Sequence, residues 1–441
     1  MKRKVWFIIL AASVALAAAA VLFLNKRSPV VEIPALSSGG SAVTEEFLNA
    51  QTSVEYYRDK IQKSPETVKN YIELAQIFLQ EARVTGRHHE YIPKADYLVT
   101  QALERNPQSY DAITTKAAIA MTMHHFAEAK ELASRAVNLQ PHSASAYGML
   151  CDAELELGEY AAAVAACDKM LAARPDLRSY ARASYLREIH GDIPGAIHAM
   201  EMAAEAGVAG QENRAWALYN LGKLFLNEGR IDTAGFIFNG ILQERPEYAF
   251  ALSGLAQVKR AQGKDQEAVD LLSKAAQITP EHLFVEQVAD LYSSTGREAE
   301  ARGVSKIVLD MFGQHEKGGW NINREYAMFC ATHGMNLDEA LSRIKNEYQS
   351  RPHNIDVLET YAWVLYNLHR PLEAVPYIEQ AVRLQTKSCT LAYHAGMIYQ
   401  AAGQKDLAEK YLALAKNENR FVNVFAIDDT TTRPHRAAAI Q

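Results

Sequence analysis

Prolines recur along this chain at a fixed interval. Pro107, Pro141 and Pro175 lie 34 residues apart, and so do Pro246 and Pro280. The intervals from Pro175 to Pro246 and from Pro280 to Pro352 are 71 and 72 residues, close to two periods. A period of this length denotes a helix–turn–helix unit stacked into a solenoid, in which no unit buries its apolar face alone.

Each period has the same interior. The unit before Pro246 carries Leu221-Gly222, Phe225, Gly229, Ala234, Phe238 and Ile241. The next carries Leu255-Ala256, Lys259, Gly263, Ala268, Leu272 and Ala275 at the same offsets. The unit before Pro175 gives Leu150-Cys151, Glu154, Gly158, Ala163, Cys167 and Met170. Small residues in both helices let them approach closely. The turn glycine ends the first helix in a left-handed conformation. The residue before a proline is pushed out of the α region, which ends the second helix. Apolar residues three and four apart form the buried stripe.

Period, turn glycine, alanine and proline together resemble the tetratricopeptide repeat (TPR) family over roughly residues 45–420. The resemblance implies an all-α, right-handed TPR solenoid of about ten helix pairs. Residues 45–64 are expected to form a lone helix capping its N-terminal end. Two units depart from the pattern. About eight extra residues around Thr85 to Glu90 are expected to lengthen one inter-helix turn, and a turn at Gly191-Asp192 to be shortened by one. The stretches Tyr180 to Ile197 and His394 to Ile398 are also similar to membrane-anchored or exported bacterial TPR proteins of unassigned function. That likeness implies the fold and no reaction.

Val5 to Leu24 is an apolar run broken only by Ser13. As a helix it would span about 30 Å, a bilayer core. Residues 1–27 are therefore expected to be a signal-anchor transmembrane helix. Lys2, Arg3 and Lys4 hold its N-terminal end in the cytoplasm. A cleaved signal peptide, giving a secreted protein, is the rival, with Ala17 to Ala20 as its cleavage region. Residues 28–44, with Pro29, Pro34 and Ser37-Ser38-Gly39-Gly40-Ser41, read as a flexible linker. The tail 421–441 reads as disordered.

The formal net charge is −6. Removing the five bases of the first 27 residues leaves 41 bases against 52 acids. A body this acidic, without a basic stripe, argues against nucleic acid as a partner. The cysteines Cys151, Cys167, Cys330 and Cys389 form no CxxC pair. They sit where the pattern wants small apolar residues, and bridging of Cys151 to Cys167 stays open. His88-His89 and His124-His125 are adjacent pairs, which diverge on a helix, so turns in solvent are expected rather than metal sites. HExxH, GxxxxGK and GxSxG are all missing, and the repeats leave no room for a catalytic domain. No enzyme, cofactor or metal is expected.

Ligands of stacked TPR pairs are expected on the concave face, formed by the first helix of each pair. The candidates there are Trp216, Tyr219, Asn220, Lys223, Phe250, Gln257, Arg260, Trp363, Tyr366 and Tyr393; the alternative for the aromatics is burial between units. Asn220, Lys223 and Arg260 make only part of the set with which some TPR proteins grip a terminal carboxylate. The expected function is a scaffold or assembly protein, single-pass in the bacterial inner membrane with its repeats in the periplasm, binding a protein or peptide. An accessory subunit of polysaccharide synthesis or export is the alternative.

Overall fold

The computed structural model describes residues 45–419. The apolar run Val5 to Leu24, the linker 28–44 and the tail 421–441 lie outside them. No described helix is long and apolar enough to cross a membrane.

The described residues form a lone helix, α1 (Glu45–Lys63), and ten helix pairs. The first three pairs are α2/α3 (Val68–Thr85, His88–Arg105), α4/α5 (Tyr110–Thr122, Phe126–Leu139) and α6/α7 (Ala144–Glu156, Tyr160–Ala173). Next come α8/α9 (Leu177–Ile189, Ile193–Glu205), α10/α11 (Glu212–Asn227, Ile231–Glu244) and α12/α13 (Ala249–Ala261, Asp265–Ile278). The last four are α14/α15 (His282–Ser294, Glu298–Lys317), α16/α17 (Asn323–His333, Leu337–Ser350), α18/α19 (Ile355–Asn367, Pro371–Ala381) and α20/α21 (Cys389–Ala401, Lys405–Glu418).

The local chemistry explains these ends. Ser109, Ser143 and Ser388 accept a backbone N–H from the first turn of the helix they precede. Gln140, Arg174, Arg245 and Thr279, each before a proline, have left the helical region. Gly158, Gly229 and Gly263 close their turns at positive φ. The two irregular units differ from expectation. Gly86, left-handed, stops α2, and α3 begins two residues later, so the extra residues lengthen both helices and not the turn. The turn at Gly191 has the usual three residues; α9, with 13 residues against 14 in α7 and α11, is what is shorter.

Pairs are locked by small-for-large exchange. A Cβ on Gly222 would lie 2.4 Å from the Phe238 ring and one on Gly254 2.6 Å from it. Phe238 on α11 thus fills the space that two glycines on α10 and α12 leave open. Ala234 and Ala268, at the matching place in successive second helices, are fully buried.

The solenoid also closes on itself. The turn inside each of the first five pairs meets the crossing that follows the fifth pair further on. His88 Nε2 lies 3.0 Å from Glu281 Oε1. Asn321 N–H donates to the Met123 carbonyl at 3.0 Å. Asn354 Nδ2 donates to the Glu156 carbonyl at 3.0 Å, and Ile355 N–H to the Tyr160 hydroxyl at 2.8 Å. Thr386 Oγ1 donates to the Ile189 carbonyl at 2.5 Å, and Asn419 Nδ2 to the Leu226 carbonyl at 3.0 Å. These bonds join residues 193 to 198 apart. One superhelical turn therefore takes five and a half pairs, and successive turns touch. The concave face, expected as an open curved surface, is enclosed as a lumen.

His124 shows why this seam matters locally. It stands where sister units carry glycine and adopts the same left-handed φ, 60°. Its Nδ1 lies 2.9 Å from the Asn321 carbonyl and its ring stacks on Phe126. The side chain was expected to be a solvated turn; the contact with the next superhelical turn offsets the backbone strain. A buried ion cluster completes the seam. Arg351 donates Nε to Glu347 Oε1 at 2.6 Å and Nη1 to Glu156 Oε2 at 2.8 Å, and its guanidinium lies 4.6 Å over the Phe126 ring.

Acid should loosen this seam. Burial, helped by His282, depresses the His315 imidazole from 6.5 to about 4. Burial alone would raise the Glu325 carboxyl, but Arg324, 2.9 Å away, and His124 pull it down from 4.5 to about 2. A histidine kept neutral by folding loses its contribution as pH falls from 6.5 to 4; a depressed carboxyl loses its own from 4.5 to 2. His282, raised by Glu286 against the effect of burial, works the other way. The melting temperature is expected to fall between pH 6.5 and 4, and to fall less in His315→Gln. Parallel curves for the two proteins would refute the assignment.

Candidate functional site

Inside the tube, first helices of consecutive pairs line a cavity of about 740 Å³. Asp152 and Cys151 come from α6; Arg178, Arg182, Tyr185 and Glu188 from α8; Trp216, Asn220 and Lys223 from α10. Gln80 and Arg83, at the end of α2, also border it. Arg83 reaches Glu212 at the start of α10, 3.3 Å away. That pair ties together helices four pairs apart in the chain.

The charges on the wall are not evenly matched. Arg182 grips Asp152 with two bonds, Nε to Oδ1 at 2.8 Å and Nη2 to Oδ2 at 2.5 Å. Arg83 has Glu212. Arg178 and Lys223 have no carboxylate in ion-pair contact among the described residues; Lys223 Nζ lies 5.7 Å over the Tyr219 ring. Glu188 is raised by burial, partly offset by Lys223 and by a bond from Asn227. The crowding of its hydroxyl end, together with Asp356, Glu156 and Glu188, pushes Tyr185 well up, and those carboxylates make that end of the lumen acidic. The Trp216 indole is 41% exposed although it lines a cavity. An open aromatic face on one wall with Arg178, which has no ion pair among the described residues, and Lys223, which shares the wall with Glu188, suits an extended ligand that carries both apolar and anionic groups.

Of the residues expected on the concave face, Trp216, Asn220 and Lys223 come together on this wall. The others do not reach it. Tyr219 is buried between Phe238 and Phe250, with ring centroids 6.0 and 5.5 Å away. Phe250, half-buried, continues that stack to Phe284. Gln257 donates to Gln287 at 2.6 Å, and Arg260 is buried beside Ser294. Trp363 is 2% exposed, sandwiched between Tyr366 and His394 at 4.8 and 3.9 Å. Tyr393 is buried next to that group. Tyr219, Trp363 and Tyr393 are thus buried between units, while Phe250 and Tyr366 are half-buried.

Arg178, Arg182, Tyr185 and Asp152 were missed, and counting from the turn glycine finds them. Trp216, Asn220 and Lys223 lie 13, 9 and 6 residues before Gly229; Arg178, Arg182 and Tyr185 lie at the same distances before Gly191. Asp152 lies 6 before Gly158. All four cysteines are buried free thiols, with Cys151 and Cys167 in sulfur contact. No group of three or more His, Cys, Asp or Glu side chains able to hold a metal occurs among the described residues.

The tetratricopeptide repeat family model matches residues 114–177. No curated protein matches the chain. Among solved structures it is similar to YrrB, described as a TPR protein with an unusual peptide-binding site, at 21% identity over 42% of this chain and 94% of that one, TM-score 0.29. It is similar to a tetratricopeptide repeat protein from Parabacteroides merdae at 17% identity, over 55% and 93% of the two chains, TM-score 0.33. It is also similar to the human IFIT1 dimer with m7Gppp-AAAA at 14% identity, over 77% and 78%, TM-score 0.49. These likenesses concern the fold alone.

Proposed function

We propose that this chain, whose residues 114–177 match the tetratricopeptide repeat family model, is an interaction scaffold which captures an extended segment of a partner protein in its lumen. The observation that carries this is the wall of α8 and α10, where the exposed Trp216 indole stands with Arg178 and Lys223. We further propose that Val5 to Leu24 anchors the chain in the bacterial inner membrane with the repeats in the periplasm, where it acts in assembly of the cell envelope. The apolar run and its basic flank support that placement. Tethering would hold captured partners at high local concentration.

The probe for capture is a fluorescein-labelled decapeptide with two adjacent aspartates and two phenylalanines, titrated against the full-length protein by anisotropy. Trp216→Ala and Lys223→Gln should each weaken binding about tenfold, the order expected for losing one aromatic or one charged contact. Affinity unchanged from that of the unsubstituted protein in both variants, or binding of an acidic oligosaccharide but no peptide, would overturn the capture reading. An alkaline-phosphatase fusion at residue 45 reads the orientation; an inactive fusion would place the repeats on the cytoplasmic side.

A further inference from the structure

We infer that the lumen is bipolar, and that the captured segment carries a lysine or arginine, seated on Asp356, about five residues from its anionic group. This rests on the capture reading and adds the second charge of the captured segment.

Asp356 lies in the first turn of α18, and its carboxylate makes no hydrogen bond or ion-pair contact among the described residues; its backbone N–H is what bonds to Asn354. Two arginines act on it from a distance, and both are committed elsewhere. Arg324 holds Glu325 at 2.9 Å, and Arg351 holds Glu347 at 2.6 Å and Glu156 at 2.8 Å. Enclosure in the lumen is the main cause that keeps the Asp356 carboxyl above its usual range; Glu359 and Glu325 add to it, against Arg324 and Arg351. A helix N-terminus favours an acid in its first turn, but a carboxylate serving only that end would be pulled down, not up.

Asp356 stands at one end of the cavity. Tyr185 lines the cavity, and the carboxylates around its hydroxyl are Asp356, Glu156 and Glu188. Asp356 also acts on Glu188. The ends of α6 and α8 from one superhelical turn thus meet the start of α18 from the next. Most of the acids gathered there have a partner. Glu156 has Arg351, Glu188 has Lys223 and a bond from Asn227, and Glu359 lies 2.8 Å from His394 Nδ1. Asp356 is left for a cation from outside the chain.

The opposite end carries the opposite sign. Arg178 begins α8 and Glu188 closes it, ten residues on. That is roughly 15 Å along the helix, the reach of four or five extended residues. A strand laid along α8 with an acidic group at Arg178 therefore brings a residue about five places away to the Glu188 and Asp356 end. A cation there meets an unpaired carboxylate in an enclosed site, and a second anion would be repelled. The lumen thus selects the order of charges in its ligand.

The test uses the full-length protein and three fluorescein-labelled decapeptides that share the two aspartates and two phenylalanines. One has a lysine five residues before the aspartates, one has it five residues after, and the third has glutamine instead. One lysine peptide should bind about tenfold tighter than the glutamine peptide, the order of one charge-assisted contact. Asp356→Asn should bring that ratio close to one and leave the glutamine peptide's affinity unchanged, and Asp356→Glu should keep the preference. No lysine preference in the unsubstituted protein, which needs no variant to measure, would overturn the inference. So would a preference that survives Asp356→Asn, or a loss of affinity shared by all three peptides, which is what a structural role gives. Failure of capture is read separately with n-butylguanidinium, by saturation-transfer NMR. If no decapeptide binds, capture falls; a butylguanidinium signal that Asp356→Asn removes keeps the cationic seat, and no signal removes it as well. If the glutamine peptide binds and lysine adds nothing, capture stands and the seat falls.

Discussion

Arg351→Met is expected to destabilise the protein by about 3–5 kcal/mol and to split its unfolding into two steps. Arg351 is 4% exposed and sits where two superhelical turns meet. Removing it strands Glu347, which is buried, and Glu156, whose carboxyl burial already raises. A carboxylate left buried without its cation is the costly half of a broken pair. The second effect follows from topology. In an open solenoid each pair touches only its neighbours, and stability is a sum of local terms. Here bonds between residues 193 to 198 apart couple the first five pairs to the last five. Cutting the central one should let the two halves melt separately. Urea unfolding followed by circular dichroism reads the split, and hydrogen exchange at Leu157 to Glu159 reads local opening. Adding Glu156→Gln and Glu347→Gln should restore part of the loss by removing the stranded charges. One unshifted transition in Arg351→Met would show that the seam holds little energy.

The helix pairs were legible because their determinants are local. A proline removes a donor and restricts the residue before it, so the end of α11 can be read at Arg245-Pro246 without any tertiary knowledge. The seam was not legible. Its partners lie nearly two hundred residues apart, and nothing near Glu156 announces Arg351. One local clue existed, His124 in a glycine position. A histidine at positive φ asks for a compensating contact, but only the fold reveals Asn321 as its partner. The site divided along the same line. The helical period identified the inward face of α10, hence Trp216, Asn220 and Lys223. It could not tell inward from inter-pair for Trp363, because both directions are apolar-tolerant in a stack and His394 closes over the ring only in three dimensions. Thr85 to Glu90 failed for a simpler reason: Gly86 alone makes the left-handed stop, and the surplus residues on either side are taken up as an extra turn of each helix.

Phe238→Ala should cost about 3–5 kcal/mol and abolish peptide capture at physiological temperature, although Phe238 does not line the cavity. Its ring is fully buried and occupies the gap that Gly222 and Gly254 leave between α10 and α12. Deleting it leaves a void beside Gly222 and Gly254, which have no side chains to relax into it. The loss should therefore fall at the severe end of large-to-small changes, since a site that cannot collapse keeps its cavity. Because α10 carries Trp216, Asn220 and Lys223, loosening its seat disperses the wall that would hold a ligand. Phe236→Ala is the matched control. Phe236 lies two residues earlier on the same helix and is 81% exposed, so its loss should cost under about 0.5 kcal/mol. Denaturant midpoints and decapeptide anisotropy on the two variants separate the cases. If they proved equally stable, or if Phe238→Ala kept full affinity, α10 would be held by something other than this ring between two glycines.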